Sequence, residues 1–320
     1  MSVRVAVIGT GFGARVIAPV FRDTPGCEVV GVVSARDDAG VAGLCDRGDV
    51  DLVTVHSPPF LHATHVRRGL AAGHAVLCDK PFGLGARDAE TLLAAAEAAD
   101  CVHLVNFEFR FDPMRALLRE LVRDGAIGVP EHVSWTHLSA GSVVPLRPHG
   151  WLFDRASGGG WVGAWGSHVV DTLRWVFGDV THALGSCRTV VAERPGADGE
   201  PNRCDAEDAF RAWLTLDGSV TVAIDSSFAA PANLAPRVLV VGDEGVLECV
   251  ADSRIVVRRL DGSREEHERP AIAGDPHLTP MRRWAEVVRD AVEDGFAPRG
   301  APTFADGLAC ARVLDALRGA

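Results

Sequence analysis

Lys80 is the only lysine in this chain: of the 32 Lys and Arg side chains, the other 31 are arginine. A guanidinium stays charged under ordinary conditions, whereas a desolvated ammonium can give up its proton. Position 80, inside Cys78-Asp79-Lys80-Pro81, is therefore the first place to look for acid–base chemistry; the plain alternative is a coding bias toward arginine that left one lysine by chance. His168 is the second group, within Gly166-Ser167-His168-Val169-Val170-Asp171, and an imidazole exchanges protons near neutral pH. Asp171 could orient that ring, bond a backbone group or pair with Arg174. Tyrosine is absent, so no phenol can serve as an acid.

The elements that position Lys80 follow from hydrophobic rhythm. Val3 to Ile8 is a β-branched run that ends in Gly9-Thr10-Gly11-Phe12-Gly13-Ala14, after which Val16, Ile17, Val20 and Phe21 recur at helical spacing. Strand, glycine turn and helix in that order suit a dinucleotide: Gly9 permits the tight turn, Gly11 leaves room for a pyrophosphate and Ala14 allows close helix packing. Pro19 should kink or shorten that helix. A second strand, Glu28 to Val33, arrives at the expected distance, and the alternation continues through Leu52 to Val55, a helix from Phe60 to Ala72, Ala75 to Cys78, a helix from Ala86 to Ala98, and Val102 to Val105. Strands alternating with helices imply a doubly wound parallel sheet, with ligands beyond the carboxyl ends of its strands. Ser57-Pro58-Pro59 and Asp79-Lys80-Pro81 fall at such ends. The tip of the second strand is Ser34-Ala35-Arg36, with no acid to take a ribose 2'-hydroxyl; a hydroxyl and a guanidinium favour the 2'-phosphate of NADP(H). Asp37 and Asp38 keep NAD(H) possible.

Beyond a helix from Pro113 to Arg123 the rhythm changes. Strands are expected over 132–138, 180–191, 209–216, 220–228, 238–241, 246–249 and 255–258, with Asp217-Gly218 as a hairpin turn, giving a large, open, mostly antiparallel sheet. Gly158-Gly159-Gly160-Trp161 leads a helical stretch to Phe177, in which Trp161 and Trp165 stand one turn apart and could wall a substrate pocket or simply fill the core. Thr279-Pro280 reads as the N-cap and first residue of a helix to Val292, and Thr303 opens a last helix over 303–317, placed to return to the first domain. Segments 193–208 and 261–276 read as polar loops. The expected domains are 1–125, a nucleotide-binding α/β domain, and 126–320, a substrate-binding and oligomerisation α/β domain.

Composition narrows the partners. A chain of 320 residues with 47% hydrophobic residues can bury two cores, and a net charge of −11 with no basic stripe speaks against nucleic acid and anionic membranes. No secretory leader and no apolar run of bilayer length is read, so a cytoplasmic protein is expected. The 8 cysteines show no C-x-x-C spacing, and reduced, packed thiols are expected. His62 and His65 lack a third ligand, so no metal site is read. His149 and His277 lie in polar loops within possible reach of the pocket.

The glycine motif, Ser57-Pro58-Pro59 with His62, Asp79-Lys80-Pro81, Phe109-Arg110-Phe111-Asp112-Pro113 and the Gly158 to Asp171 stretch, in this order, resemble the glucose-fructose oxidoreductase, inositol dehydrogenase and rhizopine-catabolism (Gfo/Idh/MocA) family over essentially the whole chain. The resemblance implies a Rossmann domain followed by an α/β domain whose open sheet builds a homodimer or homotetramer. It also implies hydride transfer between a nicotinamide and a hydroxyl or carbonyl carbon of a sugar-like small molecule. By motif, Lys80 matches the lysine of the family's E-K-P, preceded here by aspartate, and His168 matches the histidine of D-x-x-x-H, whose aspartate is Ala164 in this chain. An aspartate there would fix the tautomer of His168 and raise its basicity. Its loss favours a ketoreductase with Lys80 as acid and polariser and His168 assisting; imine reduction and a catalytically silent nicotinamide-binding sensor are the alternatives. Asp79, Lys80, Ser57, Pro58, His62 and Arg110 join the glycine-motif residues and Ser34 and Arg36 as expected cofactor contacts, with Lys80, Trp161, Trp165 and His168 toward substrate.

Overall fold

The computed structural model describes residues 2–270 and 274–319. The chain divides into two compact units, Met1–Phe111 with His277–Arg312 and Asp112–Pro276 with Val313–Ala320. The units thus part at Phe111/Asp112 rather than at 125/126, and the first also includes a segment from the end of the chain.

In the first unit β1 (Val3–Ile8), β2 (Cys27–Val33), β3 (Leu52–Val55), β4 (Ala75–Cys78) and β5 (His103–Val105) form one parallel sheet in the order β2-β1-β3-β4-β5. They alternate with α1 (Ala18–Asp23), α2 (Asp38–Cys45), α3 (Pro59–Ala71) and α4 (Ala86–Ala99). β3 and β4 are buried along their whole length, as apolar runs in a sheet covered on both faces must be. Pro19 is met by a π turn over Gly13–Ile17: Ala18 N donates to Gly13 O, and the proline stands in the first turn of a six-residue α1, where its missing N–H costs little.

The second unit opens with α5 (Pro113–Arg123), whose N-cap Asp112 accepts hydrogen bonds from Met114 N and Arg115 N. It then builds β6 (Pro130–Leu138), α6 (Ser167–Phe177), β7 (Val180–Arg188), β8 (Glu193–Pro195), β9 (Pro201–Arg203), β10 (Ala209–Leu216), β11 (Thr221–Ser227), β12 (Leu234–Gly242), β13 (Gly245–Val250), β14 (Arg254–Arg259) and β15 (Arg264–Glu268). Eight strands make one sheet in the order β15-β14-β13-β12-β6-β11-β10-β7. Its pairings are antiparallel except β6 with β11. Gly218, at φ 68°, turns β10 into β11 at the expected Asp217-Gly218. Two expected loops carry strands. β8 pairs with β9 within 193–208, and β15, within 261–276, is held to β14 by Arg254–Glu266 and by Arg259–Glu265 at 2.6 Å. Such a strand is fixed by cross-strand charges on a sheet edge and has no apolar period to read. Residues 271–273 of that stretch lie outside the described residues.

The chain returns with α7 (Leu278–Asp294) and α8 (Phe304–Arg318). The expected cap at Thr279 is displaced: α7 starts at Leu278 with His277 at the N-cap position, and Pro280 falls inside the first turn, where no N–H partner is needed. Met281, Trp284 and Val288 of α7 share a buried core with Val5, Val7 and Phe21, and Trp284 stacks on Phe111 at 4.8 Å. Asp306 accepts a hydrogen bond from Thr303 N at 3.0 Å to start α8, whose Phe304 packs on Phe82 at 4.3 Å. Residues 304–312 group with the first unit and 313–318 with the second.

Candidate active site

The parallel ladder of the first unit ends in one row. Gly9 N donates to Val33 O, His56 N to Ile8 O, Asp79 N to Val55 O and Asn106 N to Cys78 O. Gly9, His56, Asp79 and Asn106 are therefore neighbours, each the first residue past its strand or one step beyond the last paired residue. Gly9 has φ 130°, and a Cβ on it would stand 2.5 Å from His56 O, so both conformation and space require glycine. Gly11 faces open space, as a pyrophosphate needs. Close packing is seen at Gly13, whose added Cβ would meet Val7 Cγ1 at 3.1 Å and His56 Cβ at 3.2 Å. Thr10 and Gly11 are exposed and Phe12 half-buried above them.

Lys80 leaves the end of β4 half-exposed. Asp79 sets its backbone: Oδ1 accepts Lys80 N at 2.9 Å and Asn106 Nδ2 at 3.3 Å, while Oδ2 faces His56 Nδ1 at 3.2 Å. Burial alone would raise the Asp79 carboxyl, but the His56 hydrogen bond and the nearby charge of Lys80 outweigh it and hold it well below the ordinary carboxylate range. Asp79 is thus a charged acceptor.

Several expected cofactor contacts have structural work. His62 is buried, with Nε2 2.8 Å from Ser57 O and Nδ1 3.1 Å from Pro81 O; it ties the start of α3 to the residue after Lys80 rather than facing a ligand. Burial lowers its pKa, so the ring is neutral and donates to one carbonyl at a time. Arg110 is likewise buried, donating to Gly300 O at 3.2 Å and Asp306 Oδ1 at 2.9 Å, and so anchors the chain before α8. Ser57 is buried and its Oγ is 3.1 Å from His65 Nδ1; burial above all pushes that ring down to about 4. Pro58 precedes α3 as its N-cap. At the tip of β2, Ser34 Oγ accepts Arg36 N at 3.3 Å, Arg36 is exposed, and Asp37 caps α2 by accepting Gly40 N at 2.9 Å.

In the second unit a π turn over Val162–Gly166 leads into α6, which carries His168 and Asp171, both buried. Ala164 lies in that turn, and the Trp165 ring meets the His168 ring at 6.1 Å and 61°. Trp161 is locked: Nε1 donates to Ser226 Oγ at 2.9 Å, and its ring stacks on Phe228 at 4.2 Å and 1° and on Trp165 at 6.0 Å and 13°. Gly160 before it packs against a buried Glu207, which accepts from Arg318 at 2.7 Å while its carbonyl takes Trp161 N. Beneath α6, buried Arg115 pairs with Asp252 at 2.9 Å, donates to Thr172 Oγ1 at 3.2 Å and lies 5.8 Å over the Trp165 ring. Thr172 Oγ1 in turn donates to His168 O at 2.8 Å. Burial, then the charge of Arg115, lowers His137, whose ring lies 4.3 Å from Trp165, to about 4.

Sequence reasoning missed His56, Asn106, His137, Arg115 and the pairing of Glu108 with His277 at 2.5 Å beside Phe12. His56 was within reach: aligning the ends of β3 and β4 puts it next to Asp79. His137 and Arg115 carried no such signal.

Family comparison agrees with the fold. A model described as "Oxidoreductase family, NAD-binding Rossmann fold" matches residues 37–107, and one described as "GFO/IDH/MocA C-terminal domain" matches residues 116–248. The chain is 30% identical over 307 residues to D-apiose dehydrogenase of Paraburkholderia graminis, covering 90% of this chain and 76% of that protein. A solved oxidoreductase domain protein from Kribbella flavida superposes with TM-score 0.89 at 25% identity over 100% of this chain and 96% of that one. Levoglucosan dehydrogenase in complex with NADH and levoglucosan shares the fold at TM-score 0.89 and 21% identity, over 100% and 97%. With strand ends, glycine turn and open sheet in agreement, the chain belongs to the GFO/IDH/MocA family of NAD(P)-dependent oxidoreductases.

Proposed function

We propose that the protein transfers hydride between NADP(H) and a hydroxyl or carbonyl carbon of a sugar-like small molecule, working as a ketoreductase with Lys80 as acid and polariser. The observation that carries this reading is Lys80 at the end of β4, its backbone held by an ionised Asp79 in the row that starts at the glycine turn. A bound nicotinamide supplies the hydride. Lys80 Nζ polarises the carbonyl and gives the oxygen its proton, and His168 assists in that transfer. Trp165, half-buried beside His168, offers the apolar face of a sugar a surface to stack on.

The NADP(H) preference rests on the tip of β2. Asp37 is spent as a helix cap, and the exposed Arg36 guanidinium beside the Ser34 hydroxyl suits a 2'-phosphate. Sugar-like substrates accord with the dehydrogenases of apiose and levoglucosan among the relatives. A homodimer or homotetramer through the second unit's sheet is supported by Leu184 and Trp213, register partners on β7 and β10 that are 69% and 63% exposed. Among the described residues no helix is long and apolar enough to cross a membrane.

Fluorescence titration with NADPH and NADH, followed by a panel of ketones and keto-sugars, tests the reading. Tighter NADPH binding with turnover on a carbonyl is expected. Tighter NADH binding overturns the cofactor preference, and binding without turnover across the panel overturns catalysis.

A further inference from the structure

We propose that His56 is a positioning residue for Lys80, acting through Asp79; the inference rests on Lys80 being the catalytic group proposed above. The His56 side chain is fully buried at the end of β3, and it cannot drift, because its carbonyl and Cβ are packed under the positions where Gly9 and Gly13 lack side chains. Its Nδ1 lies 3.2 Å from Asp79 Oδ2. Since that carboxylate only accepts, Nδ1 must carry the proton whatever the charge of the ring. Nε2, buried and with no hydrogen-bond partner among the described residues, is then a bare lone pair in the neutral ring, which costs less than an unpaired N–H would. One tautomer is therefore fixed.

The consequence falls on the other carboxylate oxygen. A carboxylate turns easily about its last torsion, whose wells are broad. Asp79 Oδ1 serves Lys80 N and Asn106 Nδ2, and those two bonds keep their direction only while Oδ2 is also held. His56 supplies that hold. It also joins the glycine turn to the segment bearing Lys80, so that the surface beneath a dinucleotide and the acid aimed at its substrate are set by one ring.

The test uses His56→Ala, which removes the donor, and His56→Asn, whose amide nitrogen stands the same number of bonds from the backbone as Nδ1 and restores it. For His56→Ala we expect kcat to fall about tenfold, with KM and the NADPH Kd moving less than about threefold and a larger isotope effect with 4-deuterated NADPH; His56→Asn should stay within about threefold of the parent. Unchanged kcat in His56→Ala, or an equal fall of kcat, affinity and Tm in both variants, would make the ring mere filling and overturn the proposal. A readout independent of turnover separates this from the catalytic reading. Because the chain has one lysine, protein made with [13Cε]lysine gives a single side-chain signal. That signal should move in His56→Ala and stay in His56→Asn even if no substrate is ever turned over; an unmoved signal in both variants sinks the positioning role alone.

Discussion

In the first unit the polar groups at the strand ends are held in a row by main chain and short side chains, whereas in the second the groups around His168 hang from an aromatic stack and a buried Arg115–Asp252 pair. The first arrangement is set as soon as the sheet pairs, because register alone puts His56 beside Asp79 and Asp79 beside Asn106. The second needs residues far apart in the chain, Arg115, His137, Trp161 and Phe228, to meet. A site built on register tolerates change in side-chain packing; a site built on packing tolerates little.

The largest effect should come from the first unit without loss of fold. Lys80→Met is expected to lower kcat about 10³-fold while the NADPH Kd, followed by fluorescence, changes by less than about threefold. Retained turnover would remove the proposed acid and with it the functional weight of the strand-end row. In the second unit the same severity should appear as stability: Trp161→Ala is expected to cost about 3 to 5 kcal/mol by urea unfolding, since it empties a buried stack and removes the donor to Ser226 Oγ. Trp165→Phe, which keeps a ring against Trp161, should cost no more than about 1.5 kcal/mol. If Trp165→Phe proved the costlier change, the stack would be ordered the other way round.

How far the sequence disclosed these two regions follows the same division. Gly9, Gly11 and Gly13 are legible because backbone needs leave an unmistakable residue type at fixed spacing, and Lys80 because its type is unique in the chain. His62 and Arg110 were visible as motif members, yet their task is internal: carbonyls and Asp306 satisfy them. Nothing in local sequence shows which way a buried polar side chain turns. β15 was hidden for a related reason, its hold on β14 being charge across strands rather than alternation. Ala164 stands in the sequence as a departure from the family pattern, and only the structure shows the ring of Trp165 beside His168.

Smaller effects sharpen the contrast. Gly9→Ala, forced to φ 130° under the His56 carbonyl, should lose about 1 to 3 kcal/mol in thermal or urea unfolding. Gly11→Val, built into open space, should leave Tm unchanged and weaken NADPH binding by about tenfold or more. Equal Tm losses for the two would contradict the different surroundings of these glycines. Arg36→Ala should narrow the preference for NADPH over NADH by about tenfold in paired titrations, with the NADH Kd unaffected. The least effect is electrostatic. His65 and His137, both pushed down to about 4, stay neutral when folded and take a proton near 6.5 when unfolded. Their contribution is therefore complete above about pH 6.5 and is lost as pH falls toward 4, on the order of 1 kcal/mol each after solvent screening. Urea midpoints measured from pH 7.5 to 4.5 should fall accordingly, and His137→Gln should flatten that slope.

The single lysine has a consequence for handling the protein. Apart from the chain terminus, every amine-directed reagent, whether an acylating label, an aldehyde cross-linker or an activated resin, finds one side chain, and it stands half-exposed at the end of β4. Modification that decorates the surface of most proteins would here be confined to that one position, and a change in its rate on adding a dinucleotide would report directly on the strand-end row. The remaining cationic surface, all guanidinium, would ignore the reagent.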